Sequence, residues 1–210
     1  MSGRGVVYIA YGMQYTRMAS ESIRSLRTHH GQDEMPVIAL SDVHLRGATR
    51  VIVDTPMVAH PVAARAAKTG LHLVRDLPEH CLYMDADTEV FGRLDAFFAP
   101  LERGFDLVMC ASTQQGADML RHASDTERRV TRDELGEMMQ MQAGVFAWNT
   151  RSARMLALFE AWREEWLRWR HVDQGALMRA LRRVPVRMWL LGRDFNGEHG
   201  QVVRHRSAGE

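Results

Sequence analysis

The 210-residue chain has only two cysteines, Cys81 and Cys110. So few thiols exclude a disulfide framework and a cysteine-built zinc site, and they fit a reducing compartment. It has one lysine, Lys68, against 26 arginines. An arginine bias of this kind follows from base composition, which leaves the lone ammonium as the residue that needs a reason. No apolar run approaches the roughly 20 residues of a membrane span. The short run Val6 to Ala10, which follows Met1-Ser2-Gly3-Arg4-Gly5, is too brief for a signal-peptide core and reads as a first strand. An excess of one charge is missing too. The chain has 27 basic and 26 acidic residues, a net charge of +1, a poor basis for holding nucleic acid through its phosphates. Neither G-x-G-x-x-G nor G-x-x-x-x-G-K-[ST] occurs, so no dinucleotide fingerprint or P-loop is indicated. No repeat or low-complexity segment is visible. What is present, 46% hydrophobic and 25% charged residues, suits a folded chain with a substantial core. The length suits one domain, residues 1–210.

Short apolar runs alternate with helical patterns. Val6-Val7-Tyr8-Ile9-Ala10, Pro36 to Leu40, Val51-Ile52-Val53, Cys81 to Met84, Phe105 to Cys110 and Gly144 to Trp148 read as strands. Val184 to Trp189 closes as a strand with an early proline. Helices are expected over Arg17 to His30, Pro61 to Arg75, Arg151 to Arg170 and Asp173 to Arg183. This order implies an α/β fold, a mostly parallel central sheet flanked by helices. Such sheets bind ligands beyond the carboxyl ends of their strands. The polar stretch 112–137 reads as an excursion, a flexible flap over the site.

The chemistry concentrates in Leu82-Tyr83-Met84-Asp85-Ala86-Asp87-Thr88-Glu89-Val90. A buried strand runs into two aspartates separated by alanine. In extended chain, positions i and i+2 face one side, so Asp85 and Asp87 would point together while Ala86 turns back. Carboxylates this close repel each other unless a cation lies nearby, and hard oxygen ligands suit Mg²⁺ or Mn²⁺. A bare D-x-D also occurs by chance in solvated turns; its position after an apolar strand favours function.

With these residues in view, the chain resembles the nucleotide-diphospho-sugar transferases, glycosyltransferases of the GT-A fold, glycogenin-like enzymes among them. The resemblance is carried in order by Ala10-Tyr11-Gly12, Ser25-Leu26-Arg27, Lys68 on the helix before the acidic strand, and Leu82 through Val90. Gln142-Ala143-Gly144-Val145, Asp173-Gln174 and Val203-Arg204-His205 complete it. The D-A-D-T segment is its most specific part. The resemblance implies a single GT-A, Rossmann-like domain. It also implies transfer of a sugar, a hexosyl group above all, from a nucleoside diphosphate to an acceptor hydroxyl. UDP is the expected nucleotide by family analogy, with GDP as the other choice. A divalent ion, Mn²⁺ or Mg²⁺, would clamp the leaving diphosphate. Asp87 would be the principal metal ligand, and Asp85 would hold the ribose or the metal through a water. His205 would be a third ligand, with His199 as the other candidate. Ala86, between the two carboxylates, would lie against the nucleotide. Lys68 would face the nucleotide, a compact ammonium where a guanidinium fork would not substitute.

Other positions follow from their places in the pattern. The loop Ala10 to Tyr15 lies at a strand's carboxyl end, where its backbone, Tyr11 and Tyr15 could meet a nucleobase. Asp42, ending the second strand, could accept a base or ribose hydrogen bond, or simply cap a turn. Gln142 could contact sugar hydroxyls, although relatives often have Asn there. Asp173, which opens a helix with Gln174, is either its N-cap or a carboxylate near the transferred sugar, a base if the reaction inverts. Met155, Leu158, Phe159, Trp162, Trp166 and Trp169 follow helical spacing and read as a core stripe before an acceptor platform. The arginines at 163, 168, 170, 179, 182 and 183 read as a solvated face, or as a surface for an anionic acceptor or membrane.

Two other functions compete with transfer. A non-catalytic nucleotide-sugar-binding protein would keep the sheet without turnover. A haloacid-dehalogenase-type phosphohydrolase also places D-x-D after an apolar strand and uses Mg²⁺. Its motif wants Thr or Val four residues after the first aspartate, where this chain has Glu89. The expected partners are a nucleotide sugar and a glycan, lipid or protein acceptor, in a cytoplasmic location that allows peripheral membrane contact. The sequence leaves open the acceptor, the anomeric outcome and assembly, including a homo-oligomer.

Overall fold

The structure, a computed structural model, describes residues 3–115, 123–136 and 139–205. The expected alternation is present. β1 (Arg4–Ala10) leads to α1 (Met13–Arg27), and β2 (Val37–Ser41) and β3 (Arg50–Val53) precede α2 (His60–Thr69). Then come β4 (His80–Met84), β5 (Thr88–Val90), α3 (Asp95–Glu102), β6 (Leu107–Gln115) and α4 (Asp125–Leu135). The chain continues through β7 (Met139–Asn149), α5 (Ala153–Trp169), α6 (Asp173–Arg183), β8 (Met188–Leu191) and β9 (Val203–His205).

Seven strands form one sheet in the order β3-β2-β1-β4-β7-β6-β8. Within it only β7 runs against the others. β2 and β4 both pair with β1, on opposite sides. The direction of winding therefore reverses between β1 and β4, and a crevice opens beyond their carboxyl ends, the usual ligand position in such sheets. Alternation along each strand divides the core in two. Val7, Ile9, Cys81 and Tyr83 pack with Leu158, Phe159 and Trp162 of α5 and Leu177 of α6. Val6, Tyr8, Leu82 and Met84 pack with Ile23 and Leu26 of α1 and Phe97 and Phe98 of α3. Met155, Leu158, Phe159, Trp162 and Trp166 are buried, so the stripe on α5 is core.

Several boundaries differ from the sequence pattern, each for a local reason. α1 begins at Met13 because Gly12, at φ 82°, turns the chain directly into the helix. The loop after β1 is thus only Tyr11 and Gly12, and Tyr15 lies in the first helical turn. α2 stops at Thr69 rather than Arg75, with Gly70 following and a short 3₁₀ turn over Leu71–Leu73. The last strand expected at 184–189 lies instead at Met188–Leu191, beyond Pro185. The stretch 112–137 divides: residues to 115 continue β6, α4 fills Asp125–Leu135, and 116–122 and 137–138 lie outside the described residues.

α4 has few apolar residues to bury, and its anchor is electrostatic. The buried Arg179 of α6 donates to Glu165 of α5 at 3.0 Å, and to Thr131 and Glu127 of α4 at 2.5 and 3.2 Å. Arg183 reaches the other Glu165 oxygen at 3.0 Å. Arg179 is therefore not part of a solvated arginine face. Burial pushes the Glu127 carboxyl up, and Arg179 only partly offsets this. Removing the arginine would strand the buried Glu127 carboxylate and leave Glu165 to Arg183 alone at close range. Arg179→Ala should lower stability to urea by about 3–5 kcal/mol; a loss below about 1 kcal/mol would show that these bonds do not hold the three helices together.

Candidate active site

The site begins where β4 ends. Asp85 and Asp87 do not sit in extended chain as the i, i+2 argument assumed; they belong to a tight turn. The Thr88 N–H and hydroxyl both donate to the Asp85 carbonyl, at 3.3 and 2.8 Å. Ala86 turns inward, 6% exposed, where a larger side chain would press on the core. The turn is tied to α1 from below. A hydroxyl chain links Tyr8, Ser22 and Thr88 through two contacts of 2.9 Å, and the Val90 N–H donates to Ser25 at 2.9 Å. Ser25-Leu26-Arg27 thus has a visible role: the serine fixes the acidic turn, the leucine is core, and the arginine donates to the Met35 carbonyl at 2.7 Å.

The third group arrives from the other end of the chain. β9 pairs antiparallel with β5, Thr88 opposite His205. His205 Nε2 lies 3.1 Å from Asp87 Oδ1 and 3.8 Å from Asp85 Oδ2. One ligand atom from each of the three residues falls within 4.8 Å of the others. His199, the other histidine considered, is exposed and outside this group. Burial pushes the His205 imidazole down, but the bond to Asp87 and the charges of Asp85 and Asp87 outweigh it and raise its pKa.

On the opposite side stands Lys68 of α2, buried, its Nζ 3.2 Å from Asp85 Oδ1 and 2.9 Å from Asp173 Oδ2. Its ammonium lies 4.8 Å above the Tyr83 ring, and the Tyr83 hydroxyl donates to Asp85 Oδ1 at 2.5 Å. One oxygen of Asp85 is therefore engaged by Lys68 and Tyr83, and the other faces His205. Burial pushes the Asp85 carboxyl up, and Lys68 and His205 only partly oppose this. For Asp173 burial also pushes up, but Lys68 and Arg65 overcome it and the carboxyl ends below its ordinary range. Asp173 is not the N-cap of α6. Val172 holds that place, and no side chain caps the helix. Its carbonyl instead accepts from the Trp162 indole at 2.7 Å, which fixes where the helix starts.

Lys68, Tyr83, Asp85, Asp87 and Asp173 line a cleft of about 250 Å³ with Ile9, Tyr11, Tyr15, Pro61, Ala64, Arg65 and Ala86, while His205 reaches it through Asp87. Of the residues singled out in the sequence, it gathers Tyr11, Tyr15, Lys68, Asp85, Ala86, Asp87 and Asp173 on its walls. Ala10 is fully buried beneath the loop. Asp42 accepts the Gly12 N–H with both oxygens, at 3.1 and 2.9 Å, and so holds the β1 loop. Tyr11 is buried, and its hydroxyl donates to Asp54 at 3.3 Å; Tyr15 is the more accessible ring. Gln142 and Gln174 are half-buried near the ends of β7 and α6, off the cleft wall. Two larger depressions, about 410 and 420 Å³, lack Asp85, Asp87 and Asp173. One lies where β7 meets the start of β4, the other behind α2 beside Arg163.

Sequence reasoning gave no site role to Arg65, nor to Tyr83 and Gly144, although both lie in the motifs that carry the resemblance. The Asp85 N–H donates to the Gly144 carbonyl at 2.8 Å. A Cβ on Gly144 would stand 2.3 Å from His205 Cε1 and 2.9 Å from Asp85 Oδ2. Beside it the β6–β7 register jumps, Met109 pairing with Phe146 and Cys110 with Gln142. Only a residue without a side chain leaves room there, and an apolar strand context gives little hint of it.

No protein-family profile and no curated protein matches the sequence. Solved structures match in three dimensions. The galactosyltransferase LgtC, crystallised with donor and acceptor sugar analogues, gives a TM-score of 0.61 at 15% identity, over 91% of this chain and 74% of its own. Mouse xyloside xylosyltransferase 1 gives 0.64 at 11% identity, over 98% of both chains. The bifunctional glycosyltransferase WbbM gives 0.64 at 14% identity over 93% of this chain, which spans 40% of WbbM. The fold is GT-A. In that GT-A frame the acidic turn and Lys68 stand at the carboxyl edge of β1 and β4, where the sheet places its ligands.

The donor set also fits a divalent cation. Ligands about 2.1 Å from an octahedral ion lie roughly 3 Å apart when adjacent and about 4 Å apart when opposite. The separations of 3.1 and 3.8 Å fall in that range. Two carboxylate oxygens with one imidazole nitrogen suit Mn²⁺ or Mg²⁺. Gly144→Ala should therefore weaken Mn²⁺ binding by roughly 100-fold while the chain stays folded, because it displaces two ligands at once. Calorimetry would measure this, and an unchanged affinity would remove His205 or Asp85 from the ligand set.

Proposed function

We propose that this chain is a metal-dependent glycosyltransferase that moves a sugar, hexose above all, from UDP to an acceptor hydroxyl. The observation that carries the proposal is the convergence of Asp85, Asp87, Lys68 and Asp173 on one cleft at the winding reversal of a GT-A sheet, with His205 grouped against the two turn aspartates. The phosphohydrolase alternative finds no support in the fold, and Asp85 follows the fourth strand rather than the first.

Each residue has work in this scheme. Asp87, His205 and Asp85 would hold the ion. A bound divalent ion supplies charge neutralisation to the departing diphosphate, which a chain of net charge +1 cannot supply diffusely. Tyr83 and Lys68 fix Asp85 so that its second oxygen faces the ligand group. Tyr15, in the first turn of α1, presents a ring at the end of the cleft near β1, where a nucleobase fits. Asp173 sits across Lys68 from the acidic turn, which is where the transferred sugar would lie. A carboxyl held below its ordinary range is a weak base. That favours Asp173 as an acceptor for sugar hydroxyls over a role in proton abstraction. Gln142 and Gln174 are placed to reach sugar or acceptor only with some side-chain movement. The glycan, lipid or protein nature of the acceptor is for experiment. No helix among the described residues is long and apolar enough to cross a membrane.

A thermal-shift screen of nucleotides and nucleotide sugars, with and without Mn²⁺, tests the donor class directly. Stabilisation by uridine nucleotides that requires the metal is the expected result; binding without any sugar transfer would point to the non-catalytic alternative. Asp87→Ala should abolish metal-dependent UDP binding with little change in melting temperature, since the aspartate lies at a turn and adds little packing. Lys68→Arg should lower kcat by roughly tenfold, the effect of about 1.4 kcal/mol of misplaced charge. Parental kinetics in that variant would return Lys68 to a purely structural role.

A further inference from the structure

We propose that Asn196 is a positioning residue that sets the tautomer and aim of His205, so that Nε2 presents a lone pair to a divalent cation. The proposal rests on the metal-dependent function above.

Asn196 is buried, 3% exposed, in the loop between β8 and β9. Its Oδ1 lies 3.0 Å from His205 Nδ1. Its Nδ2 has no hydrogen-bond partner among the described residues. The amide's one described side-chain hydrogen bond is therefore to the imidazole. A buried amide is costly unless its polar atoms are used, and an apolar side chain would fill the same space more cheaply. The ring is what the amide serves.

The backbone around it is built for that contact. Phe195 and Asn196 N–H groups close a 3₁₀ turn onto Gly192 and Arg193, each at 3.2 Å. The Val202 N–H donates to the Asp194 carbonyl at 2.8 Å, and the His205 N–H to the Gly197 carbonyl at 3.1 Å. These bonds zip the loop so that Asn196 and His205 face each other. A Cβ on Gly200 would lie 2.0 Å from the Val203 carbonyl oxygen, and one on Gly197 2.8 Å from that of Arg193. The loop closes this tightly because both positions lack side chains.

A neutral imidazole has one N–H and one lone pair. When Nδ1–H donates to the amide oxygen, the lone pair is on Nε2, facing Asp87 Oδ1 and Asp85 Oδ2. Three lone-pair atoms then face one another, an arrangement that a divalent cation satisfies at all three and a proton on Nε2 satisfies only between His205 and one carboxylate. Partners of this kind orient metal-bound histidines. The reverse amide orientation would donate from Nδ2 to Nδ1, leave the proton on Nε2, and tie the ring to Asp87 as a plain hydrogen-bond donor.

The two orientations separate by substitution. Mn²⁺ affinity of the full chain in the presence of UDP, read from the paramagnetic resonance of free Mn²⁺, should fall about 10–100-fold in Asn196→Ala. In Asn196→Asp it should stay at the parental value or rise, because a carboxylate accepts from Nδ1–H and cannot donate. Near-ultraviolet circular dichroism reports whether each variant is folded. Should the alanine variant fail to fold, the near-isosteric aspartate variant decides alone: a loss of affinity in it means that the amide donates, and overturns the proposal. Unchanged affinity in a folded alanine variant overturns it too. A parent that binds no Mn²⁺ with any nucleotide defeats the metal-dependent function itself, and this inference with it.

Discussion

Lys68 stands between Asp85 and Asp173, 3.2 and 2.9 Å from their oxygens, and its ammonium lets two carboxylates from different elements share a buried corner. Without it their repulsion, with Asp87 close by, would amount to about 4 kcal/mol for each unit pair at 4 Å in a medium of intermediate dielectric. Burial by itself lowers the lysine pKa, and the two carboxylates more than reverse this, so the ammonium stays charged. Three carboxylates against the Lys68 ammonium, with the Arg65 guanidinium 4.0 Å from Asp173, still leave an excess of negative charge beside a neutral His205. A proton on the imidazole lessens that excess, and its raised pKa expresses the same pull. A divalent cation relieves it further. The chemistry of a lysine suits the corner. A point charge on a flexible stem can serve two carboxylates and lie over the Tyr83 ring at once, whereas a planar fork needs acceptors in its own plane.

Much of this was legible in the sequence because it rests on local pattern. The strand before the acidic turn, the alternation of strands and helices, and the isolation of one lysine among arginines all survive the loss of three-dimensional information. What was not legible depends on contacts remote in the chain. β5 and β9 are three residues each, too short for any periodicity. α4 shows no apolar stripe because its buried face is filled by Glu127 and Thr131 bonded to Arg179. Its one local signal is the pattern Ser124-x-x-Glu127, in which the serine side chain accepts from the Glu127 N–H at 3.2 Å. Arg179 looked like one more surface arginine because composition says nothing about which member of a basic cluster is buried. Residue type and position left Asp173 open between a helix cap and a carboxylate near the sugar; Val172 holds the cap place, and the Asp173 carboxylate meets the Lys68 ammonium.

The delivery of His205 shows how the fold makes the site rigid before anything binds. A two-stranded ribbon of three residue pairs is marginal by itself. Here Val90 and Val203 are buried in the core on the α1 and α3 face, and Ser25 bonds the Val90 N–H from α1. The ribbon is thus an outgrowth of the core rather than a loose arm. Asp85 is held from the other side by β7 through the Gly144 carbonyl, and from α2 through Lys68. Three layers of the molecule therefore fix three ligand atoms within 4.8 Å of one another. The repulsion among those atoms is offset by folding energy gained elsewhere, in valines, serines and a glycine that never touch a ligand. A cation entering such a group loses little to reorganisation, so its affinity reflects charge and geometry rather than the cost of assembling the site.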